Sequence, residues 1–314
     1  NSICGPARAV IQTGKYSHLN GFRQNGDQFD GTQPTAPKYL QKSGYQTAVI
    51  GKWHLASMPT GYDHFEVLKG QGAYYNPMLI TNGENVDHVG YTTDIITERS
   101  LDWLQEERDP DKPFLLMVQQ KAPHGRWEPA IRHLELFDDM EMPEPSTLFD
   151  DYSGRARPIS QNRARMLEEM NDHRLMIKYS SKHTPEQLRP FDDYFRPRNE
   201  AMLAANLNDV ERTKWNYQRY IKNYLRCVKA VDESIGQLLE YLDESGLADN
   251  TIVIYSSDQG FYLGEHGLFD KRWMYEESLR SPLLVRWPSV AKAGTVNDTD
   301  IVSNLDFAQT FLDL

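Results

Sequence analysis

At 314 residues the chain is long enough for one large α/β domain or two smaller ones with a substantial core. Its formal charge of -11 argues against nucleic acid or an anionic membrane as a partner, since both reward a basic face. Cys4 and Cys227 are too few for a disulfide framework, and no apolar run reaches membrane-spanning length.

The sequence starts without Met, a few residues before the dense motif Cys4-Gly-Pro-Ala-Arg-Ala-Val-Ile-Gln-Thr-Gly14. Thr35 to Lys42 then predicts a helix with Thr35 as N-cap and Gly44 beyond its end, followed by a strand over Thr47 to Ile50 and a turn at Gly51. A second helix is expected from Ile95 to Glu106, capped by Thr92 or Thr93, and a short buried strand from Pro113 to Val118. Between about 131 and 208 the periodicity degrades into Pro, Arg and acidic clusters, which predicts a surface insertion of loops and short helices. Apolar residues from Ile221 through Leu242 keep helical period, with Gly246 as the stop. Cys227 lies within that stretch as a core residue. Strands follow at Thr251 to Tyr255 and Pro282 to Val285, and Phe311 to Leu314 reads as an amphipathic helix still in progress. These ends imply a piece of a longer chain, and the missing start makes the absence of a signal peptide uninformative. Helices alternating with buried strands predict an α/β fold: a mostly parallel or mixed sheet with helices on both faces.

Polar clusters recur where the strands end, the usual place for ligands in open α/β sheets. They are Gly51-Lys52-Trp53-His54, Lys121-Ala122-Pro123-His124, Ser256-Ser257-Asp258-Gln259-Gly260, and Leu263-Gly264-Glu265-His266-Gly267 with Asp270, Lys271 and Arg272 downstream. Taken singly, each has a plain reading as a surface His or Lys or an Asp-Gln-Gly turn. Asp258 and Gln259 offer the hard oxygens that calcium favours.

The first motif matches the CxPxRxxxxTG signature of the type I sulfatases, and the four later clusters follow in that family's chain order. The chain therefore resembles this family, within the alkaline phosphatase superfamily, from Cys4 to Lys271 and so across most of its length, and 1–314 is read as an incomplete catalytic domain. The segments around His124 and Lys271 look like those of bacterial carbohydrate sulfatases acting on 6-sulfated N-acetylglucosamine. The resemblance implies hydrolysis of sulfate esters of glycosaminoglycan-type carbohydrates. Cys4 would be oxidised to formylglycine by a formylglycine-generating enzyme, with Ca2+ (or Mg2+) as cofactor and a covalent sulfo-enzyme on the path.

Carried over residue by residue, Cys4 as the hydrated aldehyde attacks sulfur while Arg8 steadies the deprotonated hydroxyl. Cys4, Asp258 and Gln259 supply metal ligands, and Lys52 and Lys271 bind the sulfate oxygens. His124 protonates the leaving oxygen, and His54 takes the proton whose loss expels sulfate. Asp270 and Arg272 are expected to reach sugar hydroxyls, or else to form an exposed ion pair. Histidines 18, 64, 88, 133, 173, 183 and 266 are expected to be structural or exposed.

The family's usual first strand with its pair of metal-binding aspartates is absent upstream of Cys4, as is a C-terminal subdomain. Asp27 and Asp30 belong to a Gly-rich turn region and do not replace those aspartates, so the isolated piece is expected to bind calcium and turn over poorly. A phosphonate monoester or phosphodiester hydrolase of the same superfamily is one alternative. An inactive sulfated-glycan-binding relative is another. Family precedent places such proteins in the periplasm, outside the cell or in the lysosome.

Overall fold

The computed structural model describes residues 2–314. In chain order come α1 (Cys4–Thr13), α2 (Ser17–Asn20), α3 (Ala36–Lys42), β1 (Gln46–Gly51), β2 (His64–Leu68), β3 (Met78–Thr81), β4 (Glu84–Asp87), α4 (Thr92–Asp102) and β5 (Phe114–Gln119). They are followed by α5 (Arg157–Ser160), α6 (Pro185–Ala204), α7 (Asp209–Glu244), β6 (Val253–Ser256), β7 (Tyr262–Leu263), β8 (Phe269–Asp270), α8 (Glu276–Leu279), β9 (Leu283–Arg286) and α9 (Asp306–Asp313).

Strand β1 organises the main sheet because its side chains are apolar on both faces. Val49 points into a cluster with Ala9 of α1, Phe22, Phe29 and Trp53, whereas Ala48 and Ile50 point the other way onto Ile95 and Ile96 of α4, Trp103 and Leu104. Helices therefore cover both faces, and a strand so placed reads as one continuous hydrophobic run. The sheet order is β4-β3-β2-β1-β5, with β1 parallel to β2 and β5, and with β2, β3 and β4 antiparallel in sequence. Asn82 and Gly83, both at positive φ (48° and 99°), make the tight β3–β4 turn that matches strand twist.

Several expectations need correction. The strands predicted at Thr251 to Tyr255 and Pro282 to Val285 form, as β6 and β9, an antiparallel pair of their own outside the five-stranded sheet. Thr35 occupies the N-cap of α3, but its hydroxyl makes no capping bond and is buried without a partner. Neither Thr92 nor Thr93 caps α4: the N-cap is Tyr91, and the Thr92 hydroxyl donates to the Ala73 carbonyl at 2.8 Å. A π-helical turn over Trp103–Glu107 completes that helix.

The largest difference lies between 131 and 208. Residues 131–184 are turns and irregular backbone with only short helical pieces, but the segment also contains the 20-residue helix α6, started by a capping box between Thr184 and Gln187. Leu134, Met166, Leu175, Phe191 and Phe195 are buried in the same cluster as Trp127, Tyr220 and Phe269. The weak periodicity arises because much of this packing uses irregular backbone, where burial follows no helical or strand repeat. Helix α7 is 36 residues long and begins at an Asn208–Glu211 capping box, well upstream of the predicted Ile221.

Candidate active site

Helix α1 presents the first motif as a rigid unit. Pro6 sits in its first turn, where a missing N–H costs no intrahelical bond, and Gly14 at φ 60° ends it by donating its N–H to Val10 O. Cys4 is thus the first residue of a ten-residue helix, buried at its electropositive end. The Gly5 N–H donates to Asn25 Oδ1 at 3.0 Å, and a methyl on Gly5 would strike the Phe22 ring. Arg8, one turn on, shares the face of Cys4.

Arg8 joins three elements. Its Nε donates to Asp258 Oδ2 at 2.9 Å after β6, its Nη1 donates to Gln119 Oε1 at 2.7 Å at the end of β5, and the same nitrogen reaches the Lys52 carbonyl after β1. These are the carboxyl ends of the parallel strands β1 and β5, where an α/β sheet opens for a ligand. Gly51, at φ 112°, allows the backbone to leave β1 against the Gln119 carbonyl, to which Lys52 N–H then donates at 2.7 Å.

Lys52 is buried, and burial, with Arg8 nearby, lowers its ammonium pKa to about 8. Cys4, Asp258 and Lys271 also act on it electrostatically, so the four segments meet at one place. His54, in the left-handed region at φ 57°, is pushed down to about 4 by burial and by the Lys52 and Arg8 charges. The Gln71 side-chain amide lies 3.0 Å from its Nε2. His124 lies beyond β5, where its Nδ1–H donates to the Gly125 carbonyl at 3.0 Å, leaving Nε2 with its lone pair. Burial and then Lys52, Lys271 and Lys121 hold this imidazole far below its ordinary pKa.

Asp258 and Gln259 follow β6. Burial alone would raise the Asp258 pKa, but Arg8, Lys52 and Lys271 overcome it and hold the carboxyl below the usual range. Asn304 pins this loop by donating to the Asp258 carbonyl at 3.1 Å. Lys271 is buried with Nζ 2.8 Å from Asp270 Oδ1, and Arg272 Nε reaches Asp270 Oδ2 at 3.3 Å. The structure thus brings Cys4, Arg8, Lys52, His54, His124, Asp258, Gln259 and Lys271 into one mutually interacting cluster, with Asp270 and Arg272 beside Lys271.

A calcium ion is the cofactor these residues have to be tested against. Gln259 Nε2 lies 3.6 Å from Cys4 Sγ while its Oε1 is buried without a hydrogen-bond partner, and the ionised Asp258 carboxylate stands next in sequence. An orphaned amide oxygen and a buried carboxylate beside the Cys4 side chain suit a hard cation. They make an incomplete set. Asp27 and Asp30 add nothing, since Asp27 accepts the Arg23 and Gln24 N–H groups and Asp30 accepts from Thr32. Elsewhere, ligand atoms of His64, Glu66 and Glu107 lie within 4.8 Å of one another. That cluster already holds its own cation, because Arg99 pairs with Glu66 at 2.9 Å and Glu107 at 3.1 Å.

Sequence reasoning missed the residues that hold the motif residues in place. Gln119 and Asn25 anchor Arg8 and α1, and Gln71 meets His54. Lys121 stacks its Nζ 4.6 Å above the Tyr74 ring, whose hydroxyl donates to the His124 carbonyl at 2.6 Å. Polar residues in loops carry no periodic signal, so only the position of Gln119 at a strand end hinted at a role.

Known proteins resemble the chain along its whole length. The chain is 46% identical over 335 residues to N-acetylglucosamine-6-O-sulfatase of Bacteroides thetaiotaomicron, covering 100% of this chain and 59% of that protein. It is 27% identical over 340 residues to N-acetylglucosamine-6-sulfatase of Homo sapiens, covering 100% and 53% respectively. It therefore spans little more than half the length of these curated relatives. A solved complex of BT4656 with its substrate D-glucosamine-2-N,6-O-disulfate superposes with a TM-score of 0.96 at 44% identity, covering 100% of this chain and 67% of that one. A phosphonate monoester hydrolase from Silicibacter pomeroyi matches with a TM-score of 0.63 at 18% identity over 99% of this chain and 63% of that one, a likeness of fold alone. The Sulfatase family model matches residues 1–314, and the chain belongs to the sulfatase family.

Proposed function

We propose that the protein hydrolyses the 6-O-sulfate ester of glucosamine units in sulfated carbohydrates. The observation that carries this reading is the gathering of Arg8, Lys52, Asp258 and Lys271 around the buried Cys4 side chain, with His54 and His124 among the same charges. A dry pocket with several cations selects a tetrahedral anion in spite of the acidic surface. The 46% identity to an N-acetylglucosamine-6-O-sulfatase supports the choice of sugar.

Oxidised to formylglycine, Cys4 would supply a hydrated aldehyde as nucleophile. Calcium, held in part by Asp258 and Gln259, would lower the pKa of that nucleophile. Lys52 and Lys271 orient the sulfate and offset its charge, while Arg8 keeps the Asp258 carboxylate in register with Cys4. His124 directs Nε2 at the leaving oxygen. The entering anion offsets the repulsion from Lys52, Lys271 and Lys121, so this imidazole takes up a proton and passes it to the departing alcohol. His54 stays neutral near pH 7 and accepts the proton that must leave for sulfate to depart.

Partners under this reading are the sulfated carbohydrate and a formylglycine-generating enzyme. Such a substrate fits a site outside the cytoplasm. Among the described residues no helix is long and apolar enough to cross a membrane. The test is kinetic, on full-length protein made with the modifying enzyme: rates on 6-sulfated N-acetylglucosamine against an aryl phosphonate, with mass spectrometry of the Cys4 peptide. Turnover of the sulfated sugar with the thiol-to-aldehyde mass loss supports the proposal. A phosphonate preference, or an unmodified thiol with binding alone, would overturn it.

A further inference from the structure

Strand β2 runs parallel to β1, with Val67 beside Gly51, so the turn after β2 stands next to the segment after β1 that carries Lys52 and His54. Gln71 lies on that turn. Gly70 and Gly72 flank it at φ 60° and 67°, and the Gly72 N–H donates to the Lys69 carbonyl at 3.1 Å. The Gln71 side-chain amide meets His54 Nε2 at 3.0 Å. The other ends of both groups are bare: His54 Nδ1 and Gln71 Oε1 are each buried without a hydrogen-bond partner. Buried polar atoms seldom go unpaired, so two at one contact call for an explanation.

His54 is neutral near pH 7, with one ring proton and one lone pair to place. If the amide N–H donates to Nε2, the ring proton sits on Nδ1 with no acceptor and the amide oxygen has no donor. The one lone pair of the ring is then occupied, and His54 has no place for a further proton. If the amide turns end for end, its oxygen accepts the Nε2–H across the same contact, and Nδ1 keeps a free lone pair. Only this second arrangement makes His54 a base. We propose that Gln71 is a positioning residue, whose side-chain oxygen holds the His54 Nε2–H and so selects the tautomer that accepts the last proton at Nδ1. The inference rests on the sulfatase reading above and deepens it. In the step concerned, Nδ1 takes the proton of the remaining formylglycine hydroxyl, the O–H electron pair forms the aldehyde C=O, and the bond from carbon to the sulfate oxygen breaks with its pair leaving on sulfate.

The experiment follows alcohol release from 6-sulfated N-acetylglucosamine by rapid quench, using the full-length modified enzyme. Gln71→Leu is expected to release about one alcohol per enzyme in a burst and then turn over about tenfold or more slowly, because only the second step depends on the His54 tautomer. Gln71→Glu keeps an oxygen acceptor and has no N–H to donate, so most of the steady-state rate should return. Adding Gln71→Leu to His54→Ala should cost nothing further, since the side chain acts through that ring. A Gln71→Leu enzyme with the parent's turnover, or slowed without a burst, would overturn the inference. So would a Gln71→Glu enzyme as slow as Gln71→Leu, which would make the amide N–H the partner, or a double variant slower than His54→Ala, which would make Gln71 a structural residue. Each of these results leaves the sulfatase reading standing, whereas a parent enzyme that releases no alcohol from the sulfated sugar would overturn both.

Discussion

Arg8 Nε and Asp258 Oδ2 lie 2.9 Å apart across 250 residues of chain, and this pair fastens the helix of the first motif to the loop after β6. The same guanidinium also holds Gln119 and the Lys52 carbonyl, a fork that lysine cannot reproduce. Arg8→Lys should therefore lower kcat about a hundredfold or more, while leaving the far-ultraviolet circular dichroism unchanged. Near-normal kcat would remove Arg8 from the machinery.

His54 is the proposed acceptor of the last proton. In His54→Ala the first release of alcohol should proceed and later turnovers should stall, giving a burst of about one alcohol per enzyme in rapid-quench assays followed by steady-state kcat down about a thousandfold. A uniform slowing with no burst would assign His54 elsewhere.

Inorganic sulfate should bind with proton uptake. His124 is held neutral by burial and by Lys52, Lys271 and Lys121, and an anion among these cations reverses part of that effect. Lys52, lowered to about 8, carries its charge below that pH and loses it above, so sulfate affinity should fall as pH rises through about 8. Calorimetry in buffers of different ionisation enthalpy measures the uptake. The high-pH loss should disappear in Lys52→Arg, and affinity independent of pH from 6 to 10 in the parent would contradict the account.

Gln259 offers an unpartnered buried oxygen beside Cys4. Gln259→Leu, of similar size, should weaken calcium binding by the full-length protein about tenfold, whereas Gln259→Glu should retain or strengthen it. Isothermal titration checks both, and equal affinity of the Leu variant would exclude this side chain from the metal shell.

Gly51→Ala tests how tightly the sheet edge is built. An added methyl at φ 112° would fall on the Gln119 carbonyl, parting β1 from β5 where Lys52 begins. A stability loss of about 3 kcal/mol or more is expected by urea unfolding, together with loss of activity.

The residues proposed to carry chemistry were legible as motifs of fixed spacing, and β1 and β5 because their side chains are apolar on both faces. Helix α7 was legible in its apolar stripe, but its start was lost because Asn208 and Glu211 announce it by capping rather than by hydrophobicity. The Asn82-Gly83 turn was a readable hairpin signal that went unused. Less could be foreseen of Gln119, Gln71 and Tyr74, whose value comes from what lies next to them in space. The β6–β9 pairing was likewise hidden, since a strand's sequence does not name its neighbour.

Leu134, Met166, Leu175, Phe191 and Phe195 share one buried cluster with Trp127, Tyr220 and Phe269, so the segment between 131 and 208 is part of the interior and not a detachable cover. Exchanging that stretch between relatives to graft a new sugar preference would therefore remove side chains such as Phe191 and Phe195 that α7 leans on. Chimeras cut there should aggregate or melt early unless the facing turns of α7 travel with the graft, which makes preference in this scaffold slow to evolve by recombination and easier to change one rim residue at a time.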